Sequence, residues 1–218
     1  VLHQVGITKN AAQLQRTLDN DSLLTPFDDL STAPAPDLII IKIGKNLAYL
    51  SHLFSIIHQY TAPVPVVAGS MVKHTPGSVY QQFAQQLGPT TTSLAQKKAR
   101  LAFCTPDRQL CFSTKLTSYV TDDGITVTGW PNTFSHRKLD IGTALFVKHL
   151  TNLASGPVID LGCGGGVLTM YASHSHQGPF TGIDVSHSAI ASSTATAAAN
   201  RVDACFKAQN GLTNEPSE

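Results

Sequence analysis

The sequence predicts an α/β fold built as two open-sheet units in tandem, and three observations carry the prediction. Short apolar runs at residues 38–43, 64–69, 158–161 and 180–184 alternate with helix-patterned stretches, the order of a sheet joined by crossover helices. The run Val158-Ile159-Asp160-Leu161 empties into Gly162-Cys163-Gly164-Gly165-Gly166, a strand-to-helix turn of the nucleotide-binding kind. Between the two alternating regions, Asp122-Asp123-Gly124 is a hairpin signal that breaks the rhythm.

Taken in order, a helix or turn is expected from Ala11 to Leu18, then a connector rich in Pro and Asp through Pro26, Pro34 and Pro36. Leu38 to Ile43 is apolar and largely β-branched, which suits a strand covered on both faces. From Asn46 to Tyr60 the residues Leu47, Leu50, Phe54, Ile56 and Ile57 have amphipathic-helix spacing. A strand over Val64–Gly69 and a helix over Val79–Leu87, closed by Gly88-Pro89, come next. Strands are expected over 99–104 and 109–116. This β-α-β-α-β order is a doubly wound unit met part-way, filling residues 1–117.

The second unit, residues 118–218, opens with strands around Tyr119–Thr121 and Ile125–Val127. A loop over 130–135 leads to a helix over Leu139–Leu150. The glycine turn starts a helix running to Ser173. A strand ending at Asp184, a small-residue helix over Ala189–Asn200 and a strand over Cys205–Gln209 complete it.

Composition narrows the class. The 218 residues are 42% hydrophobic and 13% charged, a globular balance. No apolar run approaches the roughly 20 residues of a membrane span, so no membrane partner is expected. The start lacks both Met and a signal-peptide layout, and the end is abrupt, so a piece of a longer chain is expected. Four cysteines fall at no metal-ligand spacing, which points to a reduced, cytoplasmic protein. His174 and His176 lack a nearby acid or third ligand, so no metal is expected; histidine is favourable at a helix C-terminus. Charge is uneven. Residues 75–118 hold Lys97, Lys98, Arg100, Arg108 and Lys115 against Asp107 alone. Such an excess fits either a nucleic-acid footprint or a lysine-protected sheet edge.

Three polar residues, Asp160, Asp184 and Asn210, fall at the carboxyl ends of successive strands, where ligands of such sheets bind. A carboxylate at Asp184 offers two acceptors to the two hydroxyls of a ribose, and Asn210 suits a base edge. The NAD fingerprint fails. Pairing Gly162 with Gly164 requires a third glycine where Val167 stands, and pairing Gly164 with Gly166 requires one where Thr169 stands. An acid ahead of the glycines repels a pyrophosphate and suits a cationic ligand such as S-adenosylmethionine.

The segment Asp160 to Gly166 resembles the first motif of class I S-adenosylmethionine-dependent methyltransferases. Phe134-Ser135-His136-Arg137-Lys138-Leu139-Asp140-Ile141-Gly142 resembles a segment of the bacterial ribosomal RNA guanine-N2 methyltransferases, and Leu87 to Leu101 resembles their large-subunit (23S) member. The resemblance covers most of residues 37–214. It implies two tandem Rossmann-like, methyltransferase-type domains, both incomplete here. The first would be a degenerate copy that holds RNA, and the second would methylate the exocyclic amine of a guanine in 23S ribosomal RNA.

Carried over by position, the resemblance sets Asp160, Gly162 and Gly164 at the methionine end of the cofactor, Asp184 on the ribose and Asn210 beside the adenine. Phe134, Ser135 and Asp140 would close over it, although Asp140 also fits an early-helix acid favourable to the dipole. His136 departs from the family's Arg, with Arg137 next to it. Lys97, Lys98 and Arg100 would touch RNA. The family's Asn-Pro-Pro-Phe motif, which orients the target amine, does not occur in the 218 residues, so the chain as given is expected not to catalyse. The alternative is a non-catalytic RNA-binding scaffold. A monomer is expected.

Overall fold

The structure, a computed structural model, describes residues 5–8, 36–60, 62–150 and 156–212. The chain divides into two compact units, residues 1–114 and 115–218. The segments expected as a helix at 11–18 and as a connector up to Pro34 lie outside the described residues.

In the first unit, β1 (Val5–Thr8) pairs antiparallel with β2 (Leu38–Lys42), and β2 pairs parallel with β3 (Val66–Met71). The helix α1 (Leu47–Ile57) forms the crossover between them, and α2 (Gly77–Gln86) follows β3. Next come β4 (Thr90–Thr92) and β5 (Ala99–Cys104), and the sheet runs β1-β2-β3-β5-β4. Because β5 lies antiparallel to both β3 and β4, the doubly wound pattern holds only for the β2-α1-β3 crossover. The reversal is made by the tight turn at Lys97-Lys98.

The core forms where Ile39, Ile41, Val66, Ala68, Ala102 and Cys104 meet Leu50, Leu53 and Phe54 of α1 and Val79 and Phe83 of α2. The Phe54 and Phe83 rings stack edge to face at 4.6 Å. Both helices therefore lie on one face of the sheet. Ile40, on the other face, is 43% exposed, so β2 is covered on one side rather than two.

The strand expected over 109–116 is absent. Those residues cross α1, where Thr114 Oγ1 meets His52 Nδ1 at 2.8 Å and Ser55 Oγ at 2.9 Å. Ahead of them, Arg108 donates to the carbonyls of His58 and Tyr60 at the end of that helix, where a cation is favourable. Side-chain anchoring to a helix has displaced strand pairing.

The second unit opens with a hairpin of β6 (Thr117–Val120) and β7 (Thr126–Gly129), turned through Gly124 at φ +84°. A short α3 (Ile141–Val147) replaces the longer helix expected over 139–150. Then β8 (Val158–Leu161), α4 (Val167–Ser175), β9 (Phe180–Asp184), α5 (His187–Asn200) and β10 (Ala204–Ala208) follow as expected. They form a parallel sheet in the order β10-β9-β8.

The hairpin is tied to α5 by side chains. Asn200 bonds both the N–H and the C=O of Thr126 (3.0 and 2.7 Å), and Thr196 Oγ1 bonds both those of Thr128 (3.0 Å each). Ser192 Oγ accepts from the N–H of Trp130 at 2.9 Å. Four-residue spacing on a helix puts Ser192, Thr196 and Asn200 in one row, and two-residue spacing on a strand presents every second backbone unit to it. The helix thus stands in for a neighbouring strand. No described helix is long and apolar enough to cross a membrane.

Candidate cofactor site

The parallel register brings the expected strand ends together. Leu161 of β8 pairs with Ile183 and Ala208 of β10 pairs with Asp184, so Asp160, Asp184 and the chain leading to Asn210 share the carboxyl edge of the sheet. The N–H of Gln209 continues the ladder to the Asp184 carbonyl at 3.0 Å, and Asn210 is exposed just beyond it.

The two acids are held differently. Asp184 accepts from the N–H of Gly164 through Oδ2 (3.0 Å) and from the N–H of Ser186 through Oδ1 (2.8 Å). Each carboxylate oxygen can take a second donor, so a ribose diol still finds two acceptors there. Asp160 turns Oδ2 inward to Thr169, accepting from its N–H (3.2 Å) and its hydroxyl (2.7 Å). Burial pushes the Asp160 carboxyl above the ordinary Asp range, the Thr169 bonds oppose this, and the charge on Asp184 adds to the rise.

The turn between them needs its glycines. Gly162, Gly164 and Gly166 have φ of +77°, +52° and +77°, in the left-handed region that other residues reach at a cost. A Cβ at Gly162 would meet nothing within 4 Å, whereas one at Gly166 would lie 3.0 Å from Ser193 Cβ and 3.2 Å from its Cα. The first therefore faces open space and the last a packed helix. The N–H groups of Gly162 and Cys163 both donate to the Ile183 carbonyl, closing the turn onto β9. Cys163 is buried and its thiol is pushed up to about 12, mainly by burial, so it contributes backbone and bulk rather than a thiolate.

Phe134 stands beside this turn: its Cβ and carbonyl are the nearest neighbours that side chains on Gly164 and Gly165 would meet, at 3.8 Å, and its own side chain is 67% exposed. Its loop is fastened by Thr133, whose hydroxyl bonds the Ser188 carbonyl (3.1 Å) and Ser192 Oγ (2.8 Å). Asp140 is the N-cap of α3, accepting from the N–H groups of Gly142 (2.8 Å) and Thr143 (3.2 Å) and from the Thr143 hydroxyl. These bonds, the Thr143 hydroxyl first, hold its carboxyl below the usual Asp range. Ser135 (φ +57°) reaches the same carboxylate at 3.4 Å. Asp140 thus shapes the Phe134–Ser135 loop from behind. His136 turns Nδ1 to the Thr133 carbonyl at 2.9 Å.

Lys97, Lys98 and Arg100 belong to the first unit, on the β4–β5 hairpin. Sequence reasoning missed Thr133, Ser192 and Thr196, which hold the Phe134 loop and its hairpin; the signal for Ser192 and Thr196 is the four-residue spacing of hydroxyls along α5. His176, considered above as a metal ligand, is buried and bonds the Gly156 carbonyl through Nε2 at 2.7 Å.

Comparison with known proteins divides the chain in the same way. Residues 1–108 match the RLMG N-terminal domain and residues 124–218 match the methyltransferase small domain. The chain is 34% identical over 206 residues to the ribosomal RNA large subunit methyltransferase G of Pectobacterium atrosepticum, covering 89% of this chain and 53% of the relative. With the protein of the same name from Pseudomonas fluorescens it shares 34% identity over 222 aligned positions, 95% of this chain and 59% of the relative. The chain thus spans a little over half the length of these relatives. Among solved structures, the T. thermophilus 16S rRNA N2 methyltransferase (RsmC), determined with AdoMet and guanosine, superposes with a TM-score of 0.72 at 16% identity. That match covers 95% of this chain and 60% of the other, and it establishes the fold.

Proposed function

We propose that this chain, which belongs to the family in which an RLMG N-terminal domain precedes a methyltransferase small domain, is the RNA-holding and cofactor-binding part of a cytoplasmic ribosomal RNA methyltransferase. The reaction is transfer of a methyl group from S-adenosylmethionine to the exocyclic N2 of a guanine in 23S ribosomal RNA. The names of the two relatives suggest this activity, and so does the structural neighbour, an N2 methyltransferase of 16S rRNA.

One observation supports the cofactor most. The N–H of Thr169, in the first turn of α4, already donates to Asp160. A pyrophosphate needs such an N-terminus open and uncharged beside it; here an acid occupies it, and a second acid lies one strand away. The corner therefore favours a ligand that is cationic and carries a diol. In this reading Asp184 takes the ribose hydroxyls, and Asp160, through Oδ1, faces the positively charged amino acid end. The open side of Gly162 lets the ligand lie against the backbone, Asn210 meets the base, and Phe134 shields the exposed side. S-Adenosylmethionine supplies a methyl group already activated by its sulfonium. The residues here have to hold, orient and exclude water, which is where most of the rate of such a transfer originates.

In the first unit, Lys97, Lys98 and Arg100 are the RNA contacts of this reading. Titration calorimetry tests the cofactor site. S-Adenosylmethionine should bind and NAD should not, and Asp184→Ala should weaken binding on the order of 100-fold, since hydrogen bonds to a charged acceptor contribute about 1.5–3 kcal/mol each. An affinity untouched by Asp184→Ala would end the assignment.

A further inference from the structure

We infer that the tip of the β4–β5 hairpin, together with the turn at Val72–His74, forms a grip for the phosphate backbone of RNA, with Lys73, Lys97, Lys98 and Arg100 as its contacts. The inference rests on reading the chain as an RNA-modifying protein and specifies where and how it holds its substrate. Four observations lead to it.

The first is strain. The N–H and C=O groups of Gln96 and Ala99 bond each other at 2.9 and 2.8 Å, leaving Lys97 and Lys98 as the two central residues of the turn. Their φ values are +47° and +64°, so this is a type I′ turn, whose ordinary occupants are Asn and Gly. Two adjacent lysines carry both the left-handed penalty and mutual repulsion. Strain of this kind, kept in place by surrounding structure, marks sites of use.

The second is a convergence of charge. The N–H of Val72 donates to the Lys98 carbonyl at 2.8 Å, docking the short 3-10 helix Val72–His74 on the tip and bringing Lys73 alongside. Arg100 follows on β5, opposite Ser70 in the register.

The third is the lack of any partner. Among the described residues the first unit carries seven Lys and Arg but only two acids, Asp37 and Asp107. Arg108 is consumed by carbonyls at the end of α1. By contrast, no described carboxylate or carbonyl accepts from Lys73, Lys97, Lys98 or Arg100. The Nε of Arg100 is moreover buried and donates to nothing. A buried, unpaired donor on a cation is costly unless a ligand completes it.

The fourth is shape. Residues 94–98 are all exposed, Leu94 by 88%, so Lys97 and Lys98 ride on a projecting turn rather than a broad face. Such a turn can follow the line of phosphates bordering a groove; a membrane surface calls for a flat patch instead.

The test exploits the turn itself. Lys97→Asn with Lys98→Gly removes both charges yet installs the residues that the turn prefers, so the hairpin should fold at least as well and the melting temperature should hold or rise. With a fluorescein-labelled RNA stem-loop, the double variant should bind about tenfold more weakly, and log Kd against log salt should flatten by about 2, one phosphate contact per lysine. Arg100→Gln should weaken binding in the same direction. Unchanged RNA affinity and salt slope in the double variant would overturn the proposal. So would a loss confined to phosphatidylserine vesicles or to polyglutamate. Asp184→Ala run in parallel should lose S-adenosylmethionine and keep RNA. If cofactor binding fails throughout while the double variant still loses RNA, the grip stands and the methyl-transfer reading falls.

Discussion

The molecule contains the same parallel crossover twice, and the two copies part company at the turn. In the first, Lys42-Ile43-Gly44 leaves β2, the N–H of Ile43 bonds the Gly69 carbonyl at 2.9 Å, and Asn46 caps α1 by accepting from the N–H of Tyr49 at 3.1 Å. In the second, Asp160-Leu161-Gly162 leaves β8, the N–H of Gly162 bonds the Ile183 carbonyl at 2.7 Å, and α4 starts from Gly166 with no capping side chain of its own. There the capping is done from the strand, by Asp160 on Thr169. An ordinary cap needs one polar residue next to the helix and closes the corner. Moving the cap back to the strand leaves a run of glycines free to open toward a ligand. The partner strands differ in the same sense: β3 ends in Gly69-Ser70-Met71 and β9 ends in Asp184. The two corners share a backbone plan, and a handful of residues sets them apart.

The units also differ in how they hold their hairpins, and the largest expected effect lies here. The first unit ties β5 to β3 by main-chain pairing, whereas the second ties β7 to α5 through side chains. Thr196→Val keeps the shape of a fully buried residue but leaves both backbone groups of Thr128 without partners. At about 1–3 kcal/mol for each of the two orphaned groups, the loss should be about 2–6 kcal/mol. Chemical denaturation should show it in the second unit, with faster exchange of the Thr128 amide. An unchanged midpoint would mean that the helix row does not hold the hairpin.

Within the glycine turn, the comparison predicts two opposite kinds of damage. Gly166→Ala pushes a methyl against the Ser193 backbone at positive φ and should cost about 2–3 kcal/mol of stability. Gly162→Ala meets open space, so only the backbone term of about 1–2 kcal/mol remains, but the methyl enters the side of the turn proposed for the cofactor. Melting temperature should fall more for the first, and affinity for S-adenosylmethionine should fall for the second at modest cost in stability. The reverse pattern would mean that the open side of the corner has been assigned to the wrong glycine.

The second crossover was the most legible part of the sequence because its chemistry is local: an acid, four glycines and a second acid one crossover later mark strand ends without knowledge of contacts. The anchors of the Phe134 loop were not legible. Ser192 and Thr196 meet residues about sixty positions away, and a hydroxyl in a small-residue helix has no signature for such a partner. The segment 109–116 misled for a related reason. Leu110, Phe112 and Leu116 alternate as in a strand, but Thr114 between them finds His52 and Ser55 on α1, and tertiary contact overrides period. The turn at Lys97-Lys98 was hidden because lysine is not a residue that announces positive φ. Its charge was visible in the sequence; its strain was not.

The smallest effect is a pH dependence that only the second crossover should have, since β2 (Leu38–Lys42) carries no carboxylate. Burial raises the Asp160 carboxyl despite the Thr169 bonds. A carboxyl that holds its proton more tightly when folded contributes stability fully present below its unfolded value, about 3.9, and lost as pH rises through the higher folded value. Asp160→Asn keeps an acceptor for Thr169 and cannot ionise. The variant should therefore gain on the parent as pH rises through that window and then hold a constant difference. Paired urea titrations between about pH 4 and 7 measure it. The ligand should pull the other way: a cationic partner needs the ionised acid, so parent affinity for S-adenosylmethionine should fall as pH drops through the same window, while that of Asp160→Asn stays level. A stability difference that is flat with pH would show that burial does not govern this carboxyl, and the contrast between the two corners would then rest on Asp184 alone.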